Sequence, residues 1–137
     1  MPHDPARVAD TRGWLRKARE DLQAAKQLLK PSKALSSAAV FHCQQAAEKA
    51  LKGFLAWHDV TFRKTHELEE IGEACIKLDA ALREIVDRAV PLTEYAWKFR
   101  YPGEPDQPSR KEVEVALTTA TEVYDAVLAR LPKEARR

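Results

Sequence analysis

The stretch Phe41-His42-Cys43-Gln44-Gln45-Ala46-Ala47-Glu48-Lys49-Ala50-Leu51-Lys52 decides the fold. It sets His, two Gln, Glu and two Lys among small and apolar residues. Successive residues of a helix turn by about 100°. On that projection Leu35, Ala39, Val40, Cys43, Ala46, Ala47, Ala50, Leu51, Phe54, Leu55 and Trp57 cover most of the circumference. His42, Gln45, Glu48, Lys49 and Lys52 share the remaining arc of roughly 120°. Such a pattern predicts a central helix over about residues 33–58, with neighbours on several sides. Gln44 falls on the apolar side, where its amide needs partners.

Working outward, the chain reads as five helical segments. Residues 1–9 form a flexible leader. Asp10 or Thr11 can cap a first helix to about Lys30, whose face is Trp14, Leu15, Ala18, Leu22, Ala25, Leu28 and Leu29. Pro31-Ser32 ends it. Asp59 to Lys64 connects to a short third helix that starts near Thr65-His66-Glu67. Asp79 starts a fourth, in which Pro91 must kink or split the helix, because proline lacks an amide donor and clashes with the preceding turn. The segment Arg100 to Pro108, with prolines at 102, 105 and 108, is a loop. Ser109 and Glu112 then form a capping-box pattern for the last helix, which runs to about Leu131. Residues 10–131 therefore read as one helical domain, and residues 132–137 as a basic tail.

The 137 residues suffice for one domain with a real core. The composition, rich in Ala, Leu, Glu, Lys and Arg and poor in Gly, is that of an all-α chain. A net charge of +2 is too weak to define a nucleic-acid binder by itself. Cys43 and Cys75 both fall on apolar faces and read as free buried thiols of a reducing compartment, without zinc spacing. No signal-peptide pattern opens the chain and no apolar run reaches membrane-spanning length, so the expected location is cytoplasmic.

Three polar groups carry the functional question, and each has two readings. On the central helix, Gln45, Lys49, Lys52 and His42 could hold a phosphate or nucleotide; equally, the arc could be a solvated stripe with an ordinary Glu48–Lys52 helix pair. In Lys64-Thr65-His66-Glu67-Leu68, Lys64 and His66 could meet an anion at a helix start, or Thr65 and His66 could only cap the helix. In Arg100-Tyr101-Pro102, Arg100 could grip a phosphate and Tyr101 stack on a base. The alternative is an Arg that neutralises a helix C-terminus beside a Tyr at the core edge. The chain has no glycine-rich phosphate loop, nucleophile elbow, His-Glu-x-x-His or paired-carboxylate signature.

Together these pieces resemble the HEPN family, the "higher eukaryotes and prokaryotes nucleotide-binding" helical domains. The resemblance runs from Lys17-Ala18-Arg19-Glu20-Asp21-Leu22 to the last helix. Its strongest parts are the His42–Lys52 stretch, Lys64-Thr65-His66-Glu67-Leu68 and Arg100-Tyr101-Pro102. It implies an up-and-down four/five-helix bundle with a short extra helix. It also implies a homodimer, and a prokaryotic setting beside a minimal nucleotidyltransferase in toxin–antitoxin-like or defence systems. Many members are metal-independent RNases whose signature is Arg, four to six residues, then His. Carried over, that signature starts at Arg100, but Tyr-Pro-Gly-Glu-Pro-Asp-Gln-Pro-Ser follows, and no His occurs beyond His66. Attack by a ribose 2′-hydroxyl needs a base and an acid. Only Arg100, Tyr101 and His66, or a distant His42, stand in as catalytic candidates.

The reading is thus a non-catalytic nucleotide- or RNA-binding protein, without metal or cofactor, partnered by a nucleotidyltransferase. Its ligand residues are His42, Gln45, Glu48, Lys49, Lys52, Lys64, His66, Arg100 and Tyr101. The alternatives are an endoribonuclease with a degenerate motif, and a structural homodimeric module whose polar stripe lies in the interface.

Overall fold

The computed structural model describes residues 3–30, 35–103 and 107–136. The described residues form no strand. Five α-helices follow one another: α1 (Pro5–Leu28), α2 (Ser36–Trp57), α3 (Leu68–Leu78), α4 (Arg83–Ala89) and α5 (Arg110–Leu128). Short 3-10 turns occupy Ala80–Leu82, Val90–Ala96 and Lys133–Ala135. The expected break at Pro31-Ser32, like Pro105, lies outside the described residues.

α2 is the central helix, packed most extensively on α1, then on α5 and α3. Its small residues allow this. Ala39, Ala46, Ala47 and Ala50 are fully buried, so neighbouring backbones approach closely around them. Gly53 is part of the same device, since a Cβ there would stand 3.2 Å from the Trp14 Cβ of α1. Leu51, Phe54 and Leu55 fill the space between and are also buried. Each such side chain contributes roughly 1.5–3 kcal/mol on burial. α2 ends in a Schellman arrangement: Asp59 N–H donates to Ala56 O at 3.1 Å and Val60 N–H to Leu55 O at 3.0 Å. Asp59 takes the left-handed conformation, φ 55°, that this ending requires.

One terminal expectation is corrected. The leader is not flexible as far as residue 9, because α1 begins at Pro5. Asp4 accepts from Ala6 N–H at 3.0 Å, and an acid at the N-cap followed by proline at the first helical position is a stronger start than Asp10 or Thr11. Thr11 is instead a buried residue inside the helix. At the other end, the basic tail folds back. Leu131 and Ala135 are buried, and Arg136 Nε donates to Leu131 O at 2.9 Å. His3 Nε2 meets Glu134 at 3.2 Å, and the His3 ring packs edge-on to Trp57, which ties the two termini together.

The remaining helices keep close to their sequence signals. α3 starts at Leu68, with Thr65 Oγ1 accepting from Glu67 N–H at 3.1 Å. Asp79 caps the Ala80–Leu82 turn. The helix before Pro91 stops at Ala89 and continues as a 3-10 turn, as the missing donor dictates. Ser109 Oγ accepts from Glu112 N–H at 3.0 Å, but the Glu112 carboxylate turns away to accept from the Tyr95 hydroxyl, so only half of a capping box forms.

Candidate functional site

The polar arc of α2 is not a solvated stripe. It faces other parts of the same chain and divides into two clusters, each centred on a carboxylate. The inner cluster surrounds Glu48, which is buried. Its Oε2 accepts from Lys52 Nζ at 2.9 Å, and its Oε1 from Gln44 Nε2 at 3.0 Å and from His66 Nδ1 at 2.7 Å. Gln44 is fully buried, and its carbonyl accepts from Gln45 Nε2 at 2.7 Å, so the amide on the apolar side has the partners it requires. Lys52 is buried too, with its ammonium 5.7 Å from the ring centroids of both Trp14 and Phe62. Burial pushes the Glu48 carboxyl up, but the hydrogen bonds from Lys52, Gln44 and His66 outweigh it and hold the group below its ordinary value.

The outer cluster surrounds Asp21 of α1, a residue that sequence reasoning did not select. Asp21 Oδ1 lies 2.8 Å from His42 Nδ1, and Oδ2 accepts from Lys49 Nζ at 2.7 Å. One carboxylate thus joins α1 to two positions of α2 that stand about two turns apart. The signal was present in sequence: Asp21 sits three residues after Ala18 and four before Ala25, on the apolar face of its helix. An acid there must find a cation or donor.

His42 also lines a cleft of about 360 Å³ with Ser37, Ala38, Phe41, Phe99 and Arg100. The Arg100 guanidinium carbon stands 3.8 Å from the Phe41 ring centroid, and the Phe41 and His42 centroids are 5.5 Å apart. Arg100 Nη1 donates to Ala96 O at 3.3 Å, and among the described residues no carboxylate pairs with it. Phe99 has φ 68°, in the left-handed region that a bulky residue rarely adopts. The chain reverses there and carries Arg100 back over Phe41. Backbone strain of this kind costs about 1–3 kcal/mol and tends to collect where a site needs it.

The structure therefore joins His42 to Arg100, and Gln44, Glu48, Lys52 and His66 to one another. Gln45 bridges toward Gln44 and Lys49 toward Asp21. Lys64 is exposed in the connector, and Tyr101 is 61% exposed and does not line the cleft. Cys43 and Cys75 are free and buried. Burial pushes both thiols up to about 12, with the Asp21 charge assisting at Cys43, so neither is a reactive nucleophile. Among the described residues no group of three His, Cys, Asp or Glu side chains is placed to hold a metal ion, and no helix is long and apolar enough to cross a membrane.

A central helix crossed by α1, α3 and α5, with a polar arc tied to its neighbours by carboxylates, defines a class of helical domain. The chain belongs to the HEPN family: the HEPN domain model matches residues 11–131. It is similar to TT1696 from Thermus thermophilus, with 31% identity over 88% of this chain and 98% of that one, at a TM-score of 0.74. Its fold is also that of ST0689, an archaeal HEPN homologue, with 22% identity over 88% and 96% of the two chains and a TM-score of 0.69. None of the curated proteins compared with the chain matches it significantly.

Proposed function

We propose that this chain binds a nucleotide or nucleic-acid phosphate without catalysing its conversion, and that it does so as the partner of a minimal nucleotidyltransferase. The single observation that carries this reading is Arg100. Its guanidinium is exposed, stacked on Phe41 at 3.8 Å and set in one cleft with His42. A planar cation held in place by an aromatic face is suited to paired hydrogen bonds with phosphate. Lys64 and His66 are exposed in the connector, and Tyr101, next in sequence to Arg100, offers an exposed ring. Lys49, Lys52 and Glu48 act as the support: their charges are spent on each other and on Asp21. A homodimer in a prokaryotic toxin–antitoxin-like or defence pair, in the cytoplasm, completes the proposal. It rests on the family membership alone.

The test is calorimetric titration of nucleotides and short RNA into the purified protein. Heat that disappears in Arg100→Ala supports the reading; no heat with any nucleotide or RNA overturns it.

A second reading, a metal-independent endoribonuclease, is favoured by one specific observation. His42 shares the cleft with Arg100, so a His and an Arg come together in space although no His follows Arg100 in sequence. Labelled RNA incubated without metal separates the two readings. Cleavage that is lost in Arg100→Ala supports the enzyme, and intact RNA supports the binding protein.

A further inference from the structure

α1 carries a row of cations on one flank. Arg12, Arg16, Arg19 and Lys26 stand four, three and seven residues apart, and uncharged Gln23 fills the gap. At about 100° per residue they share an arc of about 80°, which makes one row about 21 Å long. The row lies on the α5 side, where Arg19 Nη1 donates to the Tyr124 hydroxyl at 3.4 Å. Asp21 projects about 180° away from Arg12, so the row and the Asp21 cluster occupy opposite flanks of α1. Arg12, Arg16 and Lys26 are exposed. The surface ion pairs of α1 run through Arg7 and Lys17, and among the described residues no carboxylate pairs with the four cations of the row.

The row opens into a second cleft, of about 730 Å³, which Arg12 lines together with Lys133, Glu134 and Arg136 of the docked C-terminal turn. Glu134 faces His3 at 3.2 Å, so its charge is engaged. Arg136 Nε donates to Leu131 O at 2.9 Å, which anchors the guanidinium at the cleft. Arg12 belongs to both features and joins them into one track.

The surroundings of the track define its ligand. No exposed aromatic ring stands on it: the Tyr124 ring is buried, and Trp14 lies about 200° from Arg12, against Phe62. Single-stranded nucleic acid, which is held by base stacking, therefore has no platform. The groove of a duplex has phosphates on both walls, but the outward face of α1 beside the row carries Asp10 and Glu20. The row also has no large apolar side chain to enter a lipid surface or to form the core of a protein interface. What remains is a slender polyanion that asks only for charge and forked donors along a line, and guanidinium groups supply both. We propose that this track binds a bare phosphoanhydride chain, inorganic polyphosphate, with one end in the terminal cleft and the chain laid along Arg12, Arg16 and Arg19. The site is separate from the Arg100 cleft and stands or falls independently of it.

The probe is end-labelled inorganic polyphosphate long enough to span the row, followed by fluorescence anisotropy with the full chain over a range of salt concentrations. The natural protein should bind it, more tightly than it binds tripolyphosphate, which fills the cleft alone. The double variant Arg12→Gln, Arg16→Gln should bind about 2- to 30-fold more weakly, as expected for the loss of two exposed charge contacts. Single-stranded polyanions release about 0.7 counterion per neutralised phosphate, so the salt slope should fall by about 1.4 in that variant. A control, Lys77→Gln with Lys111→Gln, removes the same charge elsewhere and should bind like the natural protein. An equal loss in the control would reduce the effect to net charge and overturn the track. So would no binding of polyphosphate, or unchanged binding in the Arg12, Arg16 variant. Oligothymidylate and a DNA duplex of matched charge should bind more weakly; either one binding as tightly as polyphosphate overturns the proposal in favour of a nucleic acid. Loss of polyphosphate binding in Arg100→Ala would place the chain in the other cleft, which overturns the track and leaves the phosphate-binding reading intact.

Discussion

The Glu48 and Asp21 clusters overlap along α2, over residues 44–52 and 42–49, yet they differ in kind. Glu48 is enclosed, and each of its oxygens is met by protein donors from α2 and the connector. Asp21 is also enclosed, but one of its two partners, His42, opens onto a cleft. The first cluster is buried at Glu48 and Lys52, with His66 reaching solvent at its edge, and it serves the fold. The second passes a fixed orientation outward to a surface that also carries Arg100. Polarity in an apolar helix is therefore not one signal: part of it holds the molecule together, and part of it opens onto a cleft.

The comparison is broken most severely at Glu48. Glu48→Ala leaves the Lys52 ammonium buried without its carboxylate, and removing one member of a buried pair costs about 3–5 kcal/mol. Urea unfolding should show a loss of that size, and a loss below about 1 kcal/mol would mean that water reaches Lys52. Gln44→Ala removes an internal donor to Glu48 and the acceptor for Gln45 and leaves a cavity. A cost of about 1–3 kcal/mol is expected in the same assay.

Acid provides a subtler test. The Glu48 carboxyl sits below its ordinary value of 4.5 in the folded chain. Unfolding releases it to that ordinary value, so its contribution is fully present above about pH 4.5 and declines as pH falls through the lower, folded value. The melting temperature should therefore drop on acidification below the ordinary value. In Glu48→Gln that part of the drop should be absent, and an unchanged acid profile would locate the titrating group elsewhere.

The cleft side should respond in the opposite sense. Arg100 is exposed and, among the described residues, hydrogen-bonds only a backbone carbonyl. Arg100→Ala should change stability by no more than about 0.5 kcal/mol, as surface substitutions do. Thermal melts check this, and a large loss would make Arg100 part of the fold's own support. The smallest expected change concerns the thiols. Cys43 and Cys75 should resist a thiol reagent in the native protein and react only after unfolding, since burial holds both up near 12.

Much of the fold was legible because the signals were local. The circumference of α2, the stop at Pro91 and the Ser109 cap follow from spacing and from single-residue chemistry. The burial of Gln44 was readable from its angular position, and so was its need for partners. The start of α1 is also a local signal, but the Asp4-Pro5 pair stands well before the first large apolar residues of the periodic face, which draw the expected start toward Asp10. The docked C-terminal turn was less accessible, because its partners lie at the opposite end of the sequence.

The site was legible in its members but not in their pairings. His42, Lys49, Lys52, His66 and Arg100 stand out as polar groups in sequence, yet which carboxylate meets which cation depends on the α1–α2 packing. Asp21 is separated by 21 residues from His42 and by 28 from Lys49, and no spacing rule spans that distance. Arg100 lines one cleft with His42 after the turn at Phe99, where φ is 68°, a conformation that nothing in the residue type announces.

The central claim is that the cleft half of the polar system binds phosphate while the enclosed half does not. Calorimetric titration of 3′-AMP into the natural protein and into Arg100→Ala tests it most directly. A charge-assisted contact predicts about a 10- to 100-fold loss of affinity in the variant. Equal affinity in the two proteins would contradict the account.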